Sequence, residues 1–139
     1  MEENVYEQIS LLEERLNTSI QLKKENVFQL AVLYDQVEEY DKALGLYLGK
    51  QLREFPPAIY RVGVMNKYGI GLSANEFVFE ECLLKAARLG HFKSEIELAK
   101  HYIVRGSVKK KVIGVIGFTK MIFSIRRILK TAKNFDQAY

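Results

Sequence analysis

Several things are scarce in this chain, and each scarcity excludes something. It has no tryptophan and a single cysteine, Cys82, so no internal disulfide can form, which fits a reducing compartment. Its two prolines are adjacent, Pro56-Pro57, so they interrupt the chain at one place only. No stretch reaches the roughly 18 uninterrupted apolar residues of a membrane-spanning helix. The N-terminal MEENVYEQ is acidic and lacks an apolar core, so no signal peptide is expected. Alternating apolar and polar runs do not recur, so strands are not expected. Acid is nearly missing from the C-terminal third. Residues 98–139 hold ten Lys and Arg against Asp136 alone, a net +9, whereas residues 1–97 hold 11 basic and 16 acidic residues, a net −5. A basic segment joined to an acidic body points to an anionic surface nearby: a membrane, a nucleic acid, or the body itself.

What is present is helical spacing. The 139 residues fit one domain, and 48% hydrophobic with 27% charged residues is ordinary for a soluble globular protein. Val5, Ile9, Leu12 and Leu16 form one apolar stripe, closed near Asn17-Thr18-Ser19 by side chains that compete for backbone hydrogen bonds. Leu30-Ala31-x-x-Tyr34 recurs as Val62-Gly63-x-x-Asn66 and again as Leu98-Ala99-x-x-Tyr102, at offsets of 32 and 36. Such periods mark helical-hairpin repeats. The large residue of each pair fills the space between two helices, and the small one lets the partner helix approach. In the first unit the segment from Tyr34 to Tyr40 turns into a second helix containing Ala43, Leu44 and Tyr47, with Asp41 as its cap or first-turn acid. Phe55-Pro56-Pro57 then forbids helix continuation and pre-sets the next one.

With these residues in place, the stretch NVFQLAVLYDQVEEYDKALGLYLGKQLREFP resembles a tetratricopeptide repeat, through Leu30-Ala31, Tyr34, Tyr40, Ala43, Tyr47 and the terminal proline. Residues 58–90 resemble the related Sel1-like repeat, through Ala58, Val62-Gly63, Gly69-Ile70-Gly71-Leu72 and Lys85-Ala86-Ala87-Arg88-Leu89-Gly90. They depart from that pattern at Asn66 for Tyr, Asn75 for Asp, Val78-Phe79 for Lys-Ala, and Cys82 for an aromatic. A third unit opens with Ser94, Leu98-Ala99, Tyr102 and Gly106 and then diverges. The resemblance spans about residues 25–106. It implies an all-α, right-handed short solenoid of antiparallel helical hairpins, about seven helices in all, and says almost nothing of function.

The Gly69-x-Gly71 pair raises a chemical question. A phosphate loop places its glycines between a strand and a helix and supplies Lys-Ser/Thr. Here the glycines follow a helix and no Gly-Lys-Ser/Thr is present, so a left-handed helix end and tight corner is expected instead. His91 falls at an inter-repeat turn and His101 beside a core-facing tyrosine, with no second ligand at metal spacing. Cys82 reads as a small core residue. Glu38-Glu39 and Glu80-Glu81 read as solvated faces. No catalytic residue, cofactor site or metal site is assigned, and a non-enzyme is expected.

The remaining feature is SVKKKVIGVIGFTKMIFSIRRILKTAK, residues 107–133. Its apolar part, Val112 to Ile125, is about 21 Å long as a helix, shorter than the roughly 30 Å of a bilayer's hydrocarbon. Lys109, Lys110 and Lys111 precede it, Lys120 sits near its polar edge, and Arg126, Arg127 and Lys130 follow. A helix this apolar needs a partner. It can cap the third repeat, lie in an anionic membrane interface through its basic residues with Phe118 and Ile122 inserted, or dock on another protein or a second copy. Interspersed Ile, Val and Phe argue against nucleic acid, which a phosphate-tracking arm would meet without them.

The sequence thus predicts a repeat region over 1–106 and a basic, apolar C-terminal helical segment over 107–139, acting as a non-catalytic, cytoplasmic scaffold or adaptor, peripheral to a membrane if the tail is an anchor. In the resembled repeats the first helix of each pair lines the concave face. By register that face holds Phe28, Val32, Asp35 and Gln36, then Tyr60, Val64 and Lys67, then Ile96, Lys100 and Ile103, a mixture suited to a peptide or helix of a partner protein. The rival expectations are a structural oligomer assembled through the C-terminal helix and a small enzyme.

Overall fold

A computed structural model describes residues 2–18, 23–105, 109–117, 119–120 and 122–123. Among these residues the regular elements are all helices: α1 (Glu2–Thr18), α2 (Lys24–Gln36), α3 (Tyr40–Tyr47), α4 (Pro56–Tyr68), α5 (Glu76–Arg88) and α6 (Phe92–Arg105), with α7 over residues 109–117. The all-α class expected from the spacing is what the chain adopts. The chain divides into two compact units, Met1–His91 and Phe92–Tyr139.

In the first unit each helix packs on its sequence neighbours: α1 on α2, α2 on α3, α3 on α4 and α4 on α5. The amphipathic stripe of α1 does what its spacing predicts. Ile9 and Leu12 are buried, with Val5 and Leu16 packed at the edge of the same core. Thr18 closes the helix by donating its hydroxyl to the carbonyls of Glu14 and Arg15, at 2.9 and 3.3 Å. The rest of this core comes from Val27, Leu30, Ala31, Leu33 and Tyr34 of α2, Ala43 and Tyr47 of α3, Leu52 from the following loop, and Ala58, Val62 and Met65 of α4.

The corners between α2 and α3 and between α4 and α5 are chemically specified. Between α2 and α3 the turn is made by Glu38, a non-glycine residue at φ 62°. Asp41 lies in the first turn of α3, where an acid meets the positive helix end. That helix stops at Tyr47. Residues 48–54 step down to the prolines through successive turns, with Gly49 N–H to Leu46 O, Leu52 N–H to Gly49 O and Phe55 N–H to Leu52 O, at 3.1, 3.1 and 2.9 Å. Pro56 and Pro57 then occupy the first turn of α4, where a missing N–H costs nothing.

Gly69 ends α4 in the left-handed conformation, φ 69° and ψ 37°, and Gly71 follows at φ 68°. A Cβ on Gly71 would lie 2.5 Å from that of Tyr40, so this corner also seats on α3. The glycine pair is therefore a helix end and a corner, as expected. Asn75 then caps α5, its Oδ1 accepting from the Val78 N–H at 3.1 Å. The α4–α5 contact is close because Gly63 has no side chain: a Cβ there would lie 2.9 Å from Cys82 Cβ.

The second unit holds α6 and α7. They too meet through a small residue. A Cβ on Gly114 would fall 2.8 Å from the Ala99 carbonyl oxygen and 3.0 Å from Tyr102 Cβ. Ser94 and Ala99 are buried on α6.

Candidate interaction surfaces

The polar chemistry at the core of the first unit is used for packing. Asp35, on the last turn of α2, is buried and receives Arg61 of α4 in a forked pair, through Nε and, at 2.8 Å, Nη2. The Tyr47 hydroxyl of α3 donates to the same carboxylate at 3.4 Å. Three helices are thus tied to one buried acid. Burial and the Asp35 charge hold the Tyr47 hydroxyl well above its ordinary range, so it stays a donor. The hydrogen bonds that Arg61 donates to Asp35 raise its guanidinium further still. The neighbouring Tyr34 hydroxyl donates to Glu13 of α1, and burial followed by that acid pushes it up to about 12. No buried side-chain nitrogen or oxygen among the described residues lacks a partner.

The residues assigned by register to a partner-binding face are distributed as follows. Phe28 and Val32 of α2 are half-buried, Phe28 with its ring 5.9 Å from Tyr47 and 5.3 Å from Phe55. Gln36 is exposed at the end of α2, and Asp35 is taken up by Arg61. Tyr60 and Val64 of α4 are half-buried, Tyr60 with its ring 5.1 Å from that of His91. Lys67 is exposed, its ammonium 5.1 Å and 5.0 Å from the Tyr68 and Phe79 rings. In the second unit Ile96 is half-buried, and Lys100 and Ile103 are exposed. Lys100 pairs with Glu97 one turn earlier at 3.6 Å.

The second unit exposes several large apolar side chains among its described residues. Val112, Val115, Ile116 and Phe123 are 54%, 50%, 48% and 75% exposed. Lys109, Lys111, Lys120 and Ile122 are exposed as well, while Lys110 is half-buried with its ammonium 5.3 Å from the Tyr102 ring. Phe118, Arg126, Arg127 and Lys130, also assigned to lipid or anion contact, lie outside the described residues. No described helix is long and apolar enough to cross a membrane.

Two further features sit on α5 and in the loop before α4. Val78, Glu81, Cys82, Leu84, Lys85 and Arg88 line an open depression of about 430 Å³. Cys82 is half-buried, and burial, reinforced by Glu81, pushes its thiol up, keeping it in the un-ionised form that is a poor nucleophile. Lys85 donates to the Arg53 carbonyl and to Glu54, both at 3.1 Å, pinning the loop to α5. His91 and His101 lie beside Tyr60 and Tyr102, and the described residues contain no group of three or more His, Cys, Asp or Glu able to hold a metal. Compared with protein-family profiles, curated proteins and solved structures, the chain matches none.

Proposed function

We propose that this chain is a non-catalytic interaction scaffold of tetratricopeptide and Sel1-like hairpins. It binds a peptide or helix of a partner protein on the first-helix faces of its hairpins. The observation that supports this is where the small residues and glycines fall. Ala31 is fully buried, Gly63 admits α5 against α4, and Gly69 and Gly71 turn the corner. These are the positions at which the resembled repeats are built, and at each one packing accounts for the residue. Between these constraints, Phe28, Val32, Tyr60 and Val64 leave partly exposed apolar surface, with Gln36 and Lys67 in water beside it. Half-buried aromatics with a polar margin are the usual make-up of a peptide-binding face. A face this short gives modest affinity, and the C-terminal hairpin is the natural second contact. The scaffold works in the cytoplasm, consistent with a lone, un-ionised thiol.

The test is to place negative charge at the two exposed positions. Gln36→Glu combined with Lys67→Glu is expected to weaken association with the native partner by about tenfold or more, with parental helix content and only the small fall in melting temperature that losing the Lys67 contacts with the Tyr68 and Phe79 rings brings. Unimpaired co-purification with every partner of the parent chain would contradict the assignment of this face.

A further inference from the structure

The outward face of α4 is set by the same rotation that buries its back. At about 100° per residue, positions 60, 61, 64, 67 and 68 fall within one arc of about 120°. The buried residues of this helix, Ala58, Ile59, Val62, Gly63, Met65 and Asn66, all lie outside that arc. On it, Tyr60 and Val64 are half-buried, and Lys67 and Tyr68 are exposed. Acid is missing here from an otherwise acidic body. Residues 55–75 hold Arg61 and Lys67 and no Asp or Glu, the longest such run in residues 1–97, whose net charge is −5.

The two cations are held differently. Arg61 gives Nε and Nη2 to Asp35, which fixes the plane of the guanidinium and leaves Nη1 outside the fork, with the side chain 33% exposed. Asp35 cancels the charge of Arg61, so this group offers aimed donors without net charge. Lys67 supplies the charge. Its ammonium lies 5.1 and 5.0 Å from the Tyr68 and Phe79 rings, neutral groups that leave that charge uncancelled. Six residues of helix, about 9 Å along the axis, separate Arg61 from Lys67.

Complementarity to this face decides the occupant. A basic segment would meet Lys67 with like charge, and a purely apolar one would cover Lys67 and the Arg61 edge without supplying an acceptor. We propose that the outward face of α4 binds a segment of the partner protein that carries Asp or Glu beside an apolar residue. The carboxylates accept from Arg61 Nη1 and from the Lys67 ammonium, and the apolar residue covers Tyr60 and Val64. This rests on the scaffold reading and names the chemistry of its partner. It also adds Arg61, oriented by Asp35, to the residues that make the contact.

The probe is an array of random short peptides, acetylated and amidated so that Asp and Glu are their only carboxylates, incubated with the full chain. Retained peptides should be rich in Asp or Glu next to an apolar residue. Asn or Gln in place of those acids should weaken the tightest of them in solution by about tenfold. Lys67→Gln should weaken it by about threefold, whereas Lys42→Gln should not, although Lys42 likewise lies over a ring, that of Tyr34, at 5.2 Å. Arg61→Gln alone would strand the buried Asp35 charge, so Arg61 is tested in Asp35→Asn with Arg61→Gln, which removes both charges together. That variant should lose about tenfold in affinity at parental helix content. Should it unfold, Lys67→Gln against Lys42→Gln still decides. Retained peptides without an excess of acid, or full binding by the double variant, would overturn the proposal and leave the scaffold reading standing. So would equal effects of Lys67→Gln and Lys42→Gln, which would give the acidic peptides to the basic residues of 98–139. A dimer in sedimentation that Lys67→Gln dissociates would overturn it in favour of a second copy. Retention of no peptide of any composition would overturn both readings.

Discussion

Gly63 and Cys82 form the tightest contact between α4 and α5, and they illustrate how a single hydrogen in place of a methyl group sets helix spacing. In an isolated helix Gly63→Ala would be favourable by up to about 1 kcal/mol. Here the new Cβ would sit 2.9 Å from Cys82 Cβ, so overpacking should dominate, with a net cost on the order of 1–3 kcal/mol in chemical denaturation. Cys82→Ala should not rescue it, because alanine keeps the offending Cβ, whereas Cys82→Gly should recover part of the loss. Rescue by Cys82→Ala would mean that the sulfur, not the helix spacing, is the obstacle. Tyr34 makes a separate prediction at the same scale. Its hydroxyl titrates near 12 in the folded chain, against about 10 when unfolded, so the folded state holds the proton more tightly. The corresponding stability is complete below pH 10 and is lost as pH rises towards 12. Tyr34→Phe should therefore make the alkaline limb of the melting temperature shallower between pH 10 and 12, the raised Tyr47 hydroxyl accounting for part of what remains, and an unchanged limb would show that Tyr34 does not contribute.

At the scale of whole elements, the helix ends were largely legible in the sequence because they depend on near neighbours. Pro56-Pro57 starts α4 and Gly69 ends it, for reasons confined to their own backbone. Asn75 is the instructive case. It departs from the Sel1-like pattern, yet a short side-chain oxygen at that place still accepts the Val78 N–H and caps α5. Asn75→Asp should thus be near neutral in thermal unfolding, while Asn75→Ala should cost about 1 kcal/mol. Equal losses from both substitutions would deny the capping role. The length of α3 was not legible. Leu44, Leu48 and Leu52 are spaced by four, as on a helix, but α3 ends at Tyr47, and the turns of residues 48–54 bury Leu52 completely instead. Nor could spacing show that Asp35 is spent inside the fold. Its partner, Arg61, stands 26 positions away, and only the fold of the first unit brings their charges together.

For the molecule as a whole, the recurring small residues and the charge division were legible in the sequence, whereas a partner-binding surface is reached there only through the resemblance. Small residues recurring at fixed intervals leave a pattern because each removes the same steric obstacle. Phe28, Val32, Tyr60 and Val64 carry apolar side chains like those of the core, so only the register of the resembled repeats singles them out in the sequence, and they are half-buried in the fold. The most direct test of the scaffold reading is photocrosslinking in the native cell. A benzophenone amino acid would be placed singly at Gln36 or Lys67, beside that face, and at Glu7 of α1 as a control elsewhere on the first unit; all three positions are exposed. One recurring protein captured from Gln36 and Lys67, and not from Glu7, is the predicted result. The same capture from all three positions, or from Glu7 alone, would contradict it.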